Sequence, residues 1–182
     1  MSIQEYPVKH NLQNQSLITI RNVELKDLES LEWDGEYRHF RRTYRDTYQR
    51  TLTGSTVMWM MCYGADLTIG QLFVQLVSSN TTLADGKHRA YIFSFRIRKE
   101  YRSQGLGSLL LTNAEDHLFQ NGYKTISLNV AQTNFKALKL YERKGYHVVG
   151  PDPGKWSYQT DDGGWVHMEE PAWRLEKQLV LV

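Results

Sequence analysis

Arg102-Ser103-Gln104-Gly105-Leu106-Gly107 is the stretch whose residue types and spacing point most directly to chemistry. Its two glycines stand between an alternating apolar segment, Tyr91 to Ile97, and a helical one, Leu106 to Gln120. A strand that turns through glycines into a helix presents several backbone N–H groups to one point, with the positive end of the helix dipole behind them. That arrangement suits a phosphate, and a phosphorylated cofactor is expected here. Alone, the glycine pair is weak evidence, because glycines also begin and end elements for steric reasons. The commoner owners of such a turn are excluded. A nucleoside triphosphate loop needs GxxxxGK followed by Ser or Thr, and no such string occurs. A dinucleotide turn needs a third glycine where this chain has Leu110, and an acidic residue closing the next strand where it has Asn129.

The chain around this turn has 182 residues, a length that a single core serves well. One domain over residues 17–182 is expected, after a polar, aperiodic lead-in over residues 1–16. Lys and Arg number 22 against 20 Asp and Glu, and the net charge of +2 gives little support to a nucleic-acid coat. A single cysteine, Cys62, cannot close an internal disulfide or build a cysteine-rich metal site, which fits a reducing, cytoplasmic setting. The dispersed histidines never make the HExxH spacing, and no metal is expected. The N-terminus lacks the apolar core of a signal peptide, and no apolar run approaches the ~20 residues that span a bilayer.

The elements that must position the turn are legible from periodicity. Leu17 to Arg21 alternates as a strand, and Leu25, Leu28 and Leu31 recur at helical spacing. Tyr37, Phe40, Tyr44 and Tyr48 follow at intervals of three and four, with Arg38, Arg41, Arg42 and Arg45 on other faces, as in an amphipathic helix ending near Gly54. Val57 to Tyr63 and Ile69 to Val77 flank a Gly64-Ala65-Asp66 hairpin turn, and Ser78 to His88 is a polar loop. Tyr91, Phe93, Phe95 and Ile97 then alternate with polar partners, predicting a strand with one strongly apolar face. Leu106, Leu110, Ala114 and Leu118 line a helix capped by Gly122. Ile126, Leu128 and Val130 form the next strand, and Thr133 or Asn134 caps a helix carrying Ala137, Leu140 and Tyr141 that stops at Gly145. Strand, helix, strand, helix implies two parallel neighbours joined by a right-handed crossover. Strand signals return at Tyr146 to Val149, Trp156 to Thr160, Trp165 to Met168 and Ala172 to Leu181, with a turn at Asp161-Asp162-Gly163-Gly164. The expected fold class is α/β (α+β): a mixed sheet with antiparallel arms and a parallel centre, covered by about four helices.

With these elements in place, two blocks resemble the GCN5-related N-acetyltransferase (GNAT) family. Its signature is Arg or Gln, two residues, Gly, one residue, then Gly or Ala, which Arg102, Gly105 and Gly107 fit. Asn134, Ala137, Tyr141, Glu142, Gly145 and Tyr146 match a second run of Asn, Ala, Tyr, Glu and Gly followed by an aromatic. The resemblance is specific over about residues 90–149 and follows element order over residues 17–77. It implies a mostly antiparallel seven-stranded sheet with a V-shaped splay between its two central parallel strands, and acyl-coenzyme A lying in that splay. Pantetheine would pair with the backbone of Phe95, Arg96 and Ile97. The pyrophosphate would take N–H bonds from Gln104, Gly105, Leu106, Gly107 and Ser108, beside Ser103. The glycines would be needed because a Cβ obstructs close approach. Arg102 would add a charged contact or order the turn. Asn134 and Ala137 would complete the cofactor site.

The resemblance also implies direct transfer of acetyl from acetyl-CoA to a primary amine, without a covalent enzyme intermediate. The Phe95 N–H is the candidate donor to the oxyanion. Tyr141 is the candidate acid for the departing thiolate, a phenol of pKa near 10 suiting a thiol of pKa near 8.5. Glu36, Asp66 and Glu100 stand open as the base, and the acceptor, a small molecule or a peptide or protein amine, is not identified. Each residue has a plainer reading. Tyr141 can be a core aromatic, Asn134 a helix cap alone, and the arginines around Phe40 either a solvated face or an entrance favouring anionic acceptors. The alternatives at the level of function are a non-catalytic acyl-CoA sensor and, last, nucleic-acid binding through the arginine-rich helix. A homodimer through the closing strands is a further expectation.

Overall fold

The computed structural model describes residues 17–65 and 67–180. Strand β1 (Ile18–Asn22) leads through 3-10 turns at Leu25–Asp27, Ser30–Glu32 and Arg38–Phe40 into helix α1 (Arg41–Leu52). Strands β2 (Thr56–Tyr63) and β3 (Leu67–Gln75) form the expected hairpin, followed by β4 (Arg89–Ile97) and a 3-10 turn at Lys99–Tyr101. Helix α2 (Leu106–Gln120), β5 (Thr125–Ala131), α3 (Phe135–Arg143) and β6 (His147–Asp152) come next. The chain closes with β7 (Lys155–Gln159), β8 (Trp165–Glu169) and β9 (Ala172–Gln178). The expected lead-in, residues 1–16, and Asp66 lie outside the described residues.

Seven strands form one sheet in the order β1-β2-β3-β4-β5-β9-β6, while β7 and β8 make a separate ribbon. Only β4 and β5 are parallel neighbours, from Arg89 opposite Thr125 to Ile92 opposite Leu128. There their pairing ends. Strand β4 stays with β3 as far as Ile97, and β5 stays with β9 as far as Ala131, so the sheet opens into the expected splay.

Periodicity explains how the layers close on the sheet. On one face Leu110, Leu111, Ala114 and Leu118 of α2 pack with Ile69, Leu72, Ile92, Ile126 and Leu128. On the other, Phe40 and Tyr44 cover Met58, Met60 and Phe73. The expected helix over Leu25 to Leu31 takes the form of two 3-10 turns. Asp27 closes the first, accepting the Glu24 N–H at 2.8 Å and two bonds from Arg21 at 2.5 and 2.9 Å. Trp33 and Asp34, at φ of 48° and 58°, turn the chain left-handed after the second. No α-helix continues through consecutive left-handed residues.

One expectation is corrected. Tyr91, Phe93, Phe95 and Ile97 do not share a face, because β4 carries a bulge. Phe93 lies opposite Phe73 but Arg96 lies opposite Gln71, so one extra residue stands on β4, and Ser94 adopts φ +50°. A bulge reverses side-chain alternation beyond it. Phe93 therefore packs in the α1-side core, whereas Phe95 and Ile97 pack against the α2 side. Tyr91, between the α2-side residues Ala90 and Ile92, falls on the α1 side with Phe93.

Candidate functional site

On the α2 and α3 side the splay opens into a cavity of about 690 Å³. Phe95, Arg96 and Ile97 form one wall, Arg102, Ser103, Gly105, Gly107 and Ser108 its end, and Asn134, Ala137 and Tyr141 the other wall. Eleven of the expected site residues are thus brought together. Two are not part of the lining. Leu106 is only 3% exposed and belongs to the core, and the Gln104 side chain turns back to the Glu100 carbonyl at 3.1 Å. Their backbone N–H groups stay at the helix start.

The turn is held in shape by its own chemistry. The Arg102 Nε donates to the Ile97 carbonyl at 2.8 Å, tying the turn to the end of β4, so the guanidinium does order the turn. Ser103 and Gly105 are both left-handed, at φ of 61° and 82°. Nothing lies within 4 Å of where a Gly105 Cβ would stand, so its backbone angle, rather than crowding by the protein, selects glycine there. At Gly107 a Cβ would meet Leu140 and Phe95 at 3.6 Å, ordinary contact, so the protein itself leaves room for a side chain there. As the N-cap of α2, Gly105 offers no side-chain cap. The first-turn N–H groups, which have no partner within a helix, are thereby left facing the cavity end.

Three lining residues escaped the sequence reading: Lys136, Leu140 and Arg143. They recur at intervals of four and three after the Asn134 cap, a periodicity that identifies one face of α3 once the cavity side is known. Asn134 does cap that helix, its Oδ1 accepting the Ala137 N–H at 3.1 Å, and lines the cavity as well. The lining contains arginine and lysine but neither aspartate nor glutamate. Arg96 contributes backbone only, since its guanidinium crosses to the α1 side, 4.2 Å over Tyr37, 4.9 Å from Phe40 and 2.9 Å from the Tyr44 hydroxyl. Arg102, Lys136 and Arg143 leave a cationic cleft with helix N–H groups at one end, which fits a polyanionic ligand.

Tyr141 sits where the walls converge. Its ring is 6.3 Å from Phe95 and 5.6 Å from Tyr146, and 6% of its surface is exposed. Burial, and then the neighbouring Tyr91, push its pKa well above the ordinary phenol value. It therefore keeps its proton across the neutral range. Tyr91, another residue the sequence reading missed, stands on the opposite face of the splay. The backbone of Asn129 bonds its hydroxyl, and burial followed by Asp152 raises its pKa. Asp152 itself is pushed up by burial, but the Gly154 N–H, the Asn129 amide and Arg174 more than offset this and hold it low. No motif marks Tyr91 in the sequence. The Asp152 and Arg174 that act on it are brought there by β9 pairing between β5 and β6, which local periodicity does not report.

Of the candidate bases, Glu36 is exposed and bonds the Tyr37 hydroxyl on the α1 side. Glu100 is exposed on its 3-10 turn and is absent from the cavity lining. Asp66 lies outside the described residues.

Residues 23–146 match the Acetyltransferase (GNAT) family. The chain belongs to this family. A stretch of 61 residues, 32% of this chain, is 41% identical to N-alpha-acetyltransferase 60 of Xenopus tropicalis, of which it covers 25%. The chain thus matches about a quarter of that relative's length. Among solved structures, the ribosomal-protein-S18-alanine N-acetyltransferase of Escherichia coli superposes with a TM-score of 0.65 at 22% identity, covering 91% of this chain and 96% of that one. Ard1 of Thermoplasma volcanium superposes at 0.68 with 18% identity, covering 91% and 99%. At such identities these structures establish the GNAT fold: the seven-stranded sheet, the parallel pair and the splay.

Proposed function

We propose that this chain is an acetyl-CoA-dependent N-acetyltransferase acting on a primary amine. The observation that carries the reading is the junction of the splay. There the β4 backbone at Phe95 leaves its parallel partner beside Tyr141, at the head of a cleft whose charged lining is wholly cationic. The family supplies the cofactor class, and the relatives are named as N-acetyltransferases. Bound acetyl-CoA supplies an activated thioester.

The chain's residues then divide the work. The N–H groups at the start of α2, with Arg102, Lys136 and Arg143, hold the phosphates. The β4 edge from Phe95 to Ile97 offers backbone hydrogen bonds along the cleft. The Phe95 N–H donates to the carbonyl oxygen as negative charge builds on it, an interaction that strengthens toward the transition state. As the C–N bond forms and the C–S bond breaks, the Tyr141 hydroxyl gives its proton to the departing sulfur and regains one from the proton that the amine nitrogen loses to solvent. The amine enters from the α1 face, where Tyr91 stands, so that acceptor and cofactor meet through the splay from opposite sides.

A reducing, cytoplasmic setting is supported by the single cysteine, Cys62, which is buried. A homodimer is supported by the edge position of β6, where Val148 and Val149 are exposed. The experiment that tests the activity is single-turnover release of free thiol with a panel of amines. Thermal stabilisation by coenzyme A with no turnover on any amine would establish the sensor alternative instead.

A further inference from the structure

The β7–β8 ribbon stands outside the main sheet, and its register sorts its side chains cleanly. Trp156 opposite Met168 and Tyr158 opposite Val166 lie on one face; Lys155, Ser157, Gln159, Trp165, His167 and Glu169 lie on the other. The apolar face is turned toward the Arg38–Phe40 turn. The Tyr158 ring is 4.9 Å from Phe40 and 5.6 Å from His39, and Trp156 is 6.0 Å from Phe40. Phe40 in turn touches Arg96, and Tyr158 shares a core with Phe93, the β4 residue at which the splay begins. The ribbon thus overhangs the α1 side of the splay, the side opposite the cationic cleft.

That overhang is set in place but only half filled. At its base the Gly154 N–H donates to Asp152 at 2.8 Å and the Glu170 N–H to the Gly154 carbonyl at 3.1 Å. Yet Trp156 is 43% exposed and Met168 41% exposed on the inner face. Both signs of charge stand on this side, but its acids have partners: Glu36 bonds the Tyr37 hydroxyl and Glu32 bonds Arg41. Arg38, Arg42 and Arg45 recur at helical spacing and form no ion pair with any described residue, while Arg41 is held by Glu32 at 2.5 Å and Arg96 stands behind Phe40. Of the ribbon's acids, Asp161 stands near Arg41. An apolar wall flanked by unpaired cations favours a bulky apolar group and disfavours a polycation.

We propose that Trp156 and Met168 are specificity-determining residues that seat an apolar group of the acceptor. The acceptor is a primary amine bearing an aromatic or branched aliphatic group and no second cationic centre. This rests on the acetyltransferase reading. The test is steady-state acetylation of phenylalaninamide, leucinamide, glycinamide, spermidine and a tetrapeptide beginning with Phe. The enzymes compared are wild type, Trp156→Ala, Met168→Ala and, as a control on the outer ribbon face, Trp165→Ala.

Wild type is expected to favour the apolar amides over glycinamide and spermidine by at least ~10-fold in kcat/KM. Trp156→Ala and Met168→Ala are expected to erase most of that preference by raising KM for apolar acceptors. Glycinamide turnover and the KM for acetyl-CoA should stay unchanged, and Trp165→Ala should behave as wild type. Efficient use of the tetrapeptide over phenylalaninamide would assign the apolar group to a chain terminus, and the reverse to a free small amine, both within the proposal. A wild-type preference for spermidine or glycinamide, or a preference that survives both inner-face variants, would overturn it. Failure to acetylate any amine would instead sink the acetyltransferase reading on which it rests.

Discussion

Replacing Tyr141 by phenylalanine removes one oxygen from the cleft and leaves the ring packed between Phe95 and Tyr146. No described residue hydrogen-bonds that hydroxyl, so its loss leaves no buried partner unsatisfied, and stability should change by less than about 1 kcal/mol. Acetyl-CoA affinity should be nearly unchanged, because the proposed phosphate contacts, Arg102, Lys136, Arg143 and the α2 N–H groups, lie at the far end of the cleft. The chemical step should suffer. General acids contribute roughly 10²- to 10⁴-fold. A thiol of pKa near 8.5 leaves tolerably well as the anion, which places this one at the low end, about 10²-fold or about 2.7 kcal/mol.

The pH dependence follows from burial. Because Tyr141 is held protonated above the ordinary phenol value, it does not titrate between about pH 6 and 9. Wild-type transfer should rise with pH as the amine loses its proton, and the ratio of wild type to Tyr141→Phe should stay flat over that window. Single-turnover thiol release with one amine, followed at saturating acetyl-CoA, reads both quantities. Equal rates for the two proteins at every pH would refute the assignment of the acid. So would a loss matched by an equal loss of coenzyme A affinity.

Other outcomes are expected from the same geometry. Gly105→Ala should cost about 1–2 kcal/mol in thermal unfolding because φ is +82°, and Gly105→Asn should cost less; equal costs would refute the backbone argument. Lys136→Glu with Arg143→Glu should raise KM for acetyl-CoA at least ~10-fold and flatten its salt dependence, with the thermal midpoint little changed. Gly154→Ala places a Cβ 1.6 Å from the Glu170 carbonyl oxygen, so the ribbon base should open, with red-shifted Trp fluorescence and intact far-UV dichroism. Alkaline titration should destabilise the fold: Tyr44, Tyr91, Tyr141 and Tyr146 have pKa values raised chiefly by burial. Above about pH 10 the unfolded chain releases protons that the folded one retains, so stability is full below that pH and falls as it rises, by up to about 1.4 kcal/mol per pH unit per retained proton. A denaturant midpoint that stays constant from pH 9 to 11 would contradict this.

The centre of the fold was readable because it is local. From β4 through α3, each element starts and stops on residues a few positions away: the glycine turn, Gly122, Asn134 and Gly145. The cofactor side of the site follows from the same short range, and Lys136, Leu140 and Arg143 extend it by helical repeat alone. The proposed acceptor side was not readable, for two physical reasons. Its floor is set by long-range pairing, with β9 inserted between β5 and β6, which brings Arg174 to Asp152 at 2.8 Å. Its roof is set by Trp156 and Tyr158 reaching back to His39 and Phe40 across more than half the chain. Neither leaves a periodic trace.

The bulge at Ser94 is the least legible feature and the one on which the site's geometry turns. A period of two assigns Tyr91, Phe93, Phe95 and Ile97 to one face, and no glycine or proline warns otherwise. Without the extra residue, Phe95 would lie beside Tyr91 on the α1 side and Arg96 would enter the cofactor cleft. With it, Phe95 faces Tyr141, and Arg96 is withdrawn between Tyr37 and Phe40, where Tyr44 holds it. One non-glycine residue at φ +50° thereby sends Phe95 to the cavity face of β4 and Arg96 to the α1 face. A left-handed serine costs roughly 1–2 kcal/mol, and it persists because both cores, Phe93 on one side and Ile97 on the other, are satisfied only in this register. Ser94→Gly should therefore stabilise the fold by a fraction of that cost and keep activity. Ser94→Val, β-branched at a left-handed position, should destabilise it and lower transfer more than cofactor binding, because the Phe95 N–H loses its aim before the phosphate turn, eight residues on, is disturbed. Equal stability of the glycine and valine variants in chemical denaturation would show that the bulge is not the strained element this geometry makes it.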